Sequence, residues 1–125
     1  VDASLKEPNS FVSSNVLGTQ VIVNNCVKYN VSKLILISSD EVYGQLTSDT
    51  DLPWNEESPL NPRNPYSASK LSGEFLVKAA HETHGLQYVI TRCSNNFGPR
   101  QSLRNLIPKI IKNISKEVLI LKHNF

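Results

Sequence analysis

Residues 34–44 read LILISSDEVYG, and this stretch decides the fold. Its first part, Leu34 to Ile37, is short and continuously apolar, which is typical of a parallel strand covered on both faces. Two adjacent carboxylates, Asp40 and Glu41, follow and fall at the carboxyl end of that strand. In open parallel sheets ligands bind at this end. The stretch therefore predicts a buried strand that leads into a functional site.

Helical segments are predicted on both sides of this strand. Apolar residues recur every three or four positions from Asn9 to Tyr29, which predicts one helix in which Gly18 lets another element approach closely. A second helix is predicted from Pro65 to His84, with proline at its start and Gly85 just past its end. Its expected apolar stripe consists of Leu71, Phe75, Leu76, Ala79 and Ala80.

The rest of the chain continues the alternation of helices and strands. Residues Gln45–Asn64 read as a long polar loop between the first strand and the second helix. Further along, the predicted elements are a strand at Tyr88–Cys93, a turn at Asn95–Pro99, a helix at Leu103–Ile114 and a last strand at Val118–Leu121. The order helix, strand, helix, strand, helix, strand predicts an α/β fold with a parallel sheet.

Tyr66 and Lys70 form a candidate base at the start of the second helix. They are four residues apart, so their side chains share one helix face. A lysine ammonium beside a tyrosine phenol favours the phenolate. The residues between them, Ser67, Ala68 and Ser69, are small and are expected to leave room for a flat ligand. Tyr-x-x-x-Lys is common by chance, so its meaning depends on the neighbouring motifs.

The adjacent carboxylates Asp40 and Glu41 form a candidate acid–base pair. Like charges repel, which allows one group to be a protonated acid while the other is a base. Consecutive strand residues point in opposite directions, so both carboxylates can face one ligand only if the chain turns there. The turn at Asn95–Asn96 also follows a strand. We therefore expect the carboxylates, the start of the second helix and this turn to meet at one rim of the sheet.

The composition narrows the class of function. The 125 residues have a formal net charge of +2 and scattered basic residues, which gives no case for binding nucleic acid or a membrane. Two distant cysteines form no disulfide framework, which is typical of a cytoplasmic protein. The three histidines have no further ligands at suitable spacing, so no metal site is expected.

Three motifs in series carry a resemblance to a known family. Ser39–Gly44, Asn64–Lys70 and Arg92–Pro99, in this order, resemble the extended short-chain dehydrogenase/reductase family, and within it the dTDP-glucose 4,6-dehydratases. The resemblance covers nearly the whole chain. It implies an α/β fold that is part of a Rossmann-type doubly wound parallel sheet, with NAD as the cofactor and a nucleotide-sugar as the substrate.

The resemblance also implies that residues 1–125 are a central-to-C-terminal part of an NAD-binding Rossmann-type domain in a longer enzyme. The family's Gly-x-x-Gly-x-x-Gly loop, which carries the cofactor pyrophosphate, does not occur in the sequence. The family's C-terminal portion, which completes the sugar-nucleotide site, is also missing. We therefore expect the isolated chain to bind NAD feebly.

The implied reaction oxidises the sugar at C4, eliminates water across C5 and C6, and returns the hydride to C6. Tyr66 would remove the C4 hydroxyl proton with the help of Lys70, and Ser39 would hold the C4 oxygen. Glu41 would take the C5 proton and Asp40 would protonate the departing C6 hydroxyl. The other implied contacts are to the cofactor, from Ser38, Tyr66, Lys70 and Asn96, and to the substrate, from Ser39, Asn95, Asn105 and Leu106.

The sequence departs from the family pattern at two positions. Ser39 stands where threonine is usual, and Asn105 stands where the family has a lysine that binds the substrate. The base and sugar of the nucleotide therefore stay open. An epimerase or decarboxylase of the same family is the enzymatic alternative, and a truncated, non-catalytic dimerisation or binding module is the other. The resemblance further implies a homodimer formed through the 9–29 and 65–84 helices.

Overall fold

The computed structural model describes residues 2–46 and 52–114. The chain forms two compact units, Val1–Ser94 and Asn95–Phe125. The predicted strand Val118–Leu121 lies outside the described residues. The first unit contains α1 (Asp2–Lys6), α2 (Pro8–Phe11), α3 (Gly18–Lys28), β1 (Leu34–Ile37), α4 (Pro65–His84) and β2 (Tyr88–Thr91), and the second contains α5 (Leu106–Ile114).

Strands β1 and β2 form a parallel pair, in which Leu34 lies opposite Tyr88 and Ile37 lies opposite Thr91. The parallel pair and its connecting helix α4 confirm the predicted α/β architecture. Strand β1 has the predicted bounds, whereas β2 ends two residues before the predicted Cys93. Backbone pairing nevertheless continues past these strand ends, because the N–H of Ser38 donates to the carbonyl of Thr91 at 2.7 Å and the N–H of Asp40 donates to the carbonyl of Cys93 at 3.3 Å. The chain then turns into a short helix at Asp40.

One face of this sheet is packed and the other is exposed. Leu34, Leu36 and Tyr88 pack onto a buried cluster, which consists of Val23, Cys26, Val77, Ala80 and Leu86. Burying one such aliphatic side chain contributes about 1.5–3 kcal/mol. Ile35 and Ile37 alternate with the packed residues and are 60% and 57% exposed. The expectation that β1 is covered on both faces is therefore wrong for the described residues, whose helices cover one face.

The predicted helix at Asn9–Tyr29 is helical but not uniform. Residues Val12–Leu17, between α2 and α3, form a π-helix. Each hydrogen bond in a π-helix spans five residues instead of four. This widened turn faces α4, where the Asn15 amide donates to the Ser69 hydroxyl at 2.9 Å.

The close approach between these helices occurs at Gly73 and not at Gly18, where it was expected. A Cβ atom at Gly73 would lie 3.0 Å from the carbonyl oxygen of Asn15 and 3.2 Å from the hydroxyl oxygen of Thr19. A Cβ atom at Gly18 would meet its nearest neighbour, the carbonyl oxygen of Ser13, at an ordinary 3.7 Å. The small residue that the packing requires is therefore in α4.

Helix α4 has the predicted bounds and is capped at both ends. The Asn64 side chain accepts from the backbone N–H of Ser67 at 2.9 Å, and the Ser67 hydroxyl accepts from the backbone N–H of Asn64 at 3.2 Å. This reciprocal pair is a capping box. At the other end Gly85 has a φ of +71°, a left-handed conformation that glycine adopts at little cost.

The predicted apolar stripe of α4 is only partly correct. Leu71 and Ala80 are buried, but Phe75 is 54% exposed. Glu74 and Val77, which lay outside the predicted stripe, are fully buried at 0% exposure. The inner face of α4 is thus rotated from the predicted one, because a buried ion pair at Glu74 occupies part of it.

In the second unit, α5 begins at Leu106, three residues later than predicted. The preceding residues form a turn, in which the backbone N–H of Asn105 donates to the carbonyl of Ser102 at 3.0 Å. Within residues 2–46 and 52–114, no helix combines the length and the apolar character needed to cross a membrane.

Candidate active site

The chain turns two residues after the end of β1. Asp40–Tyr43 form a 3₁₀-helix, and the Ser39 hydroxyl caps it by accepting from the backbone N–H of Glu41 at 3.3 Å. The same hydroxyl donates to an Asp40 carboxylate oxygen at 3.2 Å. Both carboxylates are half-buried. The turn removes the strand alternation that would aim Asp40 and Glu41 in opposite directions, as the acid–base hypothesis requires.

The returning loop holds this turn in place. Val42 and Tyr43 are buried and pack with Leu71 of α4. The backbone N–H of Asn61 donates to the carbonyl of Val42 at 2.9 Å. Gly44 has a φ of +94°, and a Cβ atom there would lie 2.5 Å from the carbonyl oxygen of Asn61. Residues 52–64 of the predicted loop therefore pack against the site.

Helix α4 and its cap residue Asn64 reach the end of β1 and the 3₁₀-helix through one hydrogen bond each. The Lys70 ammonium donates to the carbonyl of Ile37, the last residue of β1, at 3.0 Å. The Asn64 amide donates to a Glu41 carboxylate oxygen at 2.9 Å. The candidate base Tyr66 is half-buried, with its ring edge-on to Phe11 at 6.0 Å between centroids. The segments that carry the predicted catalytic residues are therefore in direct contact. These residues are Ser39, Asp40, Glu41, Tyr66 and Lys70.

The small residues that follow Tyr66 do not provide the space predicted for a ligand. Ser67 is fully buried and serves the helix cap, and Ser69 is 3% exposed. The Ser69 hydroxyl accepts from Asn15 and donates to the carbonyl of Tyr66 at 2.8 Å. Ala68 is the exposed member of the three. The two hydroxyls thus fix the position of α4 and do not line an open surface.

Ser38 has the properties expected of a ligand contact. Its side chain is 4% exposed, and its hydroxyl oxygen has no hydrogen-bond partner among the described residues. Its backbone N–H donates to the carbonyl of Thr91 at 2.7 Å, so the residue is firmly placed. A buried polar group without a partner costs about 1–3 kcal/mol, which calls for an explanation such as a ligand. The unsatisfied hydroxyl fits the cofactor contact predicted for Ser38.

A buried ion pair beside the site was missed by sequence analysis. Glu74 is 0% exposed and accepts from two Arg92 nitrogens, Nη2 at 2.7 Å and Nε at 3.0 Å. The Nη1 nitrogen of Arg92 donates to the Tyr43 hydroxyl at 2.7 Å. The hydrogen bond to Glu74 raises the pKa of the Arg92 guanidinium above its usual range, and burial opposes that rise. The Trp54 ring stacks on Tyr43 with centroids 5.7 Å apart.

This cluster joins α4, the 3₁₀-helix and the residue that directly follows β2. Its members are 18 and 49 residues apart in sequence, so no local spacing reveals it. A cavity of about 720 Å³ runs along β2 beside Tyr43, Trp54 and Arg92. None of the predicted catalytic residues lines this cavity, so it is not the candidate active site.

Four predicted ligand contacts belong to the second unit. Asn95 and Asn96 are exposed, and the carbonyl of Asn96 accepts from the Gln101 amide at 2.8 Å. Asn105 is exposed, and Leu106 is 68% exposed at the start of α5. That the turn at Asn95–Asn96 lies beside the carboxylates at one rim of the sheet stays a prediction. In residues 2–46 and 52–114, no three His, Cys, Asp or Glu side chains come together as a metal site would require.

Comparison with known proteins gives the family. The model of the NAD dependent epimerase/dehydratase family matches residues 1–124. The chain belongs to this family. The dTDP-glucose 4,6-dehydratase of Streptomyces griseus is 47% identical over 111 residues, which are 89% of this chain and 33% of that protein.

Two solved structures of related enzymes show the same fold. DesIV of Streptomyces venezuelae, a dTDP-glucose 4,6-dehydratase solved with NAD bound, is 40% identical with a TM-score of 0.85, over 94% of this chain and 35% of that one. The UDP-N-acetylglucosamine 4-epimerase of Methanobrevibacter ruminantium is 34% identical with a TM-score of 0.86. The match covers 94% of this chain and 38% of that one. These matches confirm that the fold is part of a Rossmann-type parallel sheet. The chain spans about a third of the length of the curated relatives it matches.

Proposed function

We propose that this chain carries the catalytic residues of an NAD-dependent sugar-nucleotide 4,6-dehydratase that converts dTDP-glucose into the 4-keto-6-deoxyglucose nucleotide. One observation carries the proposal. The Glu41 carboxylate accepts at 2.9 Å from Asn64, the cap of the helix on which Tyr66 and Lys70 lie. A candidate pair for elimination therefore lies next to a candidate pair for oxidation.

The carboxylates distinguish this reaction from epimerisation, whereas the fold does not. The TM-scores to the dehydratase and the epimerase are 0.85 and 0.86, which are equivalent. Epimerisation at C4 requires a base for the C4 hydroxyl, which Tyr66 supplies, and no base at C5. Elimination of water across C5 and C6 requires a second base and an acid. Glu41 and Asp40, held in a turn at the end of β1, supply both.

The chain's own residues move three protons in the proposed reaction. Tyr66 accepts the proton of the C4 hydroxyl as a general base, and Lys70 lies one helical turn further along the same helix face. Glu41 then accepts the C5 proton, which the 4-keto group makes acidic. The electrons of the C5–H bond form the C5–C6 double bond while the C6–O bond breaks. Asp40 protonates the leaving hydroxyl, and water departs. When the hydride is returned to C6, Glu41 gives its proton back to C5, which completes the 4-keto-6-deoxy sugar.

The cofactor contacts proposed here are Ser38, Tyr66, Lys70 and Asn96. When bound, NAD supplies the oxidation at C4 and the return of the hydride to C6. The unsatisfied hydroxyl of Ser38 is the observation that fits such a ligand. Lys70, anchored 3.0 Å from the carbonyl of Ile37, has two further N–H groups to offer. Substrate contacts are proposed for Ser39, Asn95, Asn105 and Leu106.

We also propose that residues 1–125 are part of a longer enzyme. The chain covers about a third of its curated relatives, and Ile35 and Ile37 leave one face of the sheet exposed. The reading frame of the gene tests this proposal. A glycine-rich strand–turn–helix encoded upstream supports it, and a start codon adjacent to Val1 contradicts it. Location in the cytoplasm is part of the same proposal, and cell fractionation tests it.

The double substitution Asp40→Asn with Glu41→Gln tests the reaction. We expect the full-length variant to oxidise dTDP-glucose, seen as absorbance of the reduced cofactor, and to form no 4-keto-6-deoxy product. Both substitutions preserve shape, so the fold should be retained. Glu82→Gln, at an exposed position of α4, is the matched control. Elimination at the wild-type rate in the double variant would show that the roles proposed for the carboxylates are wrong.

The epimerase is a second candidate, which the equal similarity of its fold supports. It predicts a different product from the same assay. The wild-type enzyme would invert C4 of the sugar nucleotide without loss of water, and the double variant would keep that activity. Product analysis by mass distinguishes the two reactions, because dehydration removes one water molecule from the substrate.

A homodimer formed through the 9–29 and 65–84 helices is also proposed. Large apolar side chains remain exposed on these helices, including Leu17 at 61%, Val21 at 57% and Phe75 at 54%. Leu17 and Val21 are four residues apart and share one helix face. We expect Val21→Glu to give a monomer in sedimentation velocity, whereas Gln87→Glu, at an exposed position outside the helices, should not. An unchanged dimer in the first variant would contradict this interface.

A further inference from the structure

Asn64 uses the two ends of its side-chain amide for two different tasks. Its oxygen accepts from the backbone N–H of Ser67 at 2.9 Å and caps α4. Its nitrogen donates to a Glu41 carboxylate oxygen at 2.9 Å. The cap requires an acceptor and the carboxylate requires a donor, so this orientation of the amide satisfies both partners and the opposite one satisfies neither.

The position of the amide is fixed from several sides. Asn64 is half-buried, and its backbone N–H donates to the Ser67 hydroxyl at 3.2 Å in the capping box. Pro65 follows directly at the first helical position, where its ring fixes the backbone. The Asn64 side chain therefore has little freedom, and the direction of its N–H follows that of the helix.

The Glu41 side chain depends on this contact. Among residues 2–46 and 52–114, its carboxylate accepts one hydrogen bond, from Asn64 to Oε2. The other oxygen, Oε1, accepts no hydrogen bond from the described residues and can take up a proton. The backbone of Glu41 is held by Ser39, but the long side chain between backbone and carboxylate has no other polar anchor in the described residues.

We infer that Asn64 is a positioning residue for the proton abstraction at C5. It holds the carboxylate of Glu41 at a fixed position relative to the helix that carries Tyr66 and Lys70. The group that removes the C5 proton and the group that removes the C4 hydroxyl proton are thereby oriented by one side chain. This inference rests on the proposed dehydratase function and adds to it a residue that acts through Glu41.

Two substitutions remove the hydrogen bond to Glu41 but keep an acceptor for the helix cap. Asn64→Ser keeps a good cap acceptor, but the shorter serine side chain does not reach Glu41. Asn64→Asp keeps the cap acceptor and replaces the donor by a carboxylate oxygen that faces Glu41. Asn64→Ser should therefore retain the wild-type melting temperature within a few degrees. Asn24→Ser, at an exposed position of α3, is the matched control.

The readouts are three rates measured on the full-length enzyme with dTDP-glucose. These are the appearance of reduced cofactor, the exchange of the C5 hydrogen with solvent deuterium, and the formation of the 4-keto-6-deoxy product. In Asn64→Ser we expect C5 exchange and product formation to fall about 100-fold, as a small misplacement of a reacting group does, while reduced cofactor appears at the wild-type rate. Asn64→Asp should lose more, because like charges repel.

Two outcomes would overturn the inference. One is wild-type C5 exchange in Asn64→Ser. The other is a parallel loss of cofactor reduction and C5 exchange, which indicates a merely structural role of the helix start. The Glu41→Gln variant, measured in the same assays, distinguishes a failure of the inference from a failure of the proposed function. If Glu41→Gln loses C5 exchange and Asn64→Ser does not, only the inference about Asn64 is wrong. If Glu41→Gln keeps C5 exchange, the proposed function and the inference fail together.

Discussion

Replacement of Arg92 by methionine should destabilise the fold by about 3–5 kcal/mol, because it leaves a buried carboxylate without a partner. Glu74 is 0% exposed and accepts from Arg92 Nη2 at 2.7 Å and from Nε at 3.0 and 3.2 Å. Methionine fills much of the same volume but donates no hydrogen bond. The carboxylate must then become protonated or draw water into the core.

The size of this loss follows from the geometry of the cluster. The same substitution also removes the donor of the Tyr43 hydroxyl, 2.7 Å from Arg92 Nη1, which is worth about 1 kcal/mol. A typical domain has a total stability of about 5–15 kcal/mol, so the loss would be a large fraction. The raised pKa of Arg92 keeps the guanidinium charged at all ordinary pH values.

A double-mutant cycle measured by urea unfolding of the full-length protein tests this reasoning. Removing both charges with Glu74→Leu and Arg92→Met should restore stability to within about 1 kcal/mol of the wild type, since apolar replacements of buried pairs are often neutral. Arg104→Met, at an exposed position, is the control. A loss below about 1 kcal/mol in Arg92→Met, or a double variant that is no more stable than Arg92→Met, would refute the argument.

Other predictions concern Ser38 and Gly44. Ser38→Ala removes a buried hydroxyl that has no partner among the described residues, so we expect the ligand-free protein to gain up to about 1 kcal/mol while NAD binds more weakly; equal NAD affinity in a titration would contradict the cofactor role. Gly44→Ala should destabilise by about 1–3 kcal/mol, because its φ is +94° and its Cβ would lie 2.5 Å from the carbonyl oxygen of Asn61. Gly98→Ala, in open space, should be nearly neutral in the same melting experiment.

The elements with strong local signals were predictable from the sequence. The bounds of β1 and α4 were predicted correctly, because a short apolar run between polar segments and a proline–glycine pair around a helix are local features. The π-helix at Val12–Leu17 was not predicted, since apolar residues recur at three or four positions through it as they do in an α-helix. Its widened turn depends on the fit against α4.

In the candidate site, too, residues in local motifs were predictable and long-range contacts were not. Sequence motifs identified Asp40, Glu41, Tyr66 and Lys70, and the structure places them on touching elements. Asn64 was overlooked as a cap, although asparagine directly before a first-turn proline is a recognisable start signal. The Glu74–Arg92 pair had no such signal, because Glu74 lies in α4 and Arg92 directly follows β2, and only the folded chain brings them together.

The cap of α4 has a consequence for the temperature range of activity. Helix ends open more readily than buried cores, and such local opening occurs well below global melting. When the first turn of α4 frays, the Asn64 amide moves away and the Glu41 carboxylate is released with it. Elimination should therefore fail on warming while the core around the fully buried Val77 is still intact. An enzyme built in this way would stall with a reduced cofactor and an oxidised sugar before it lost its shape.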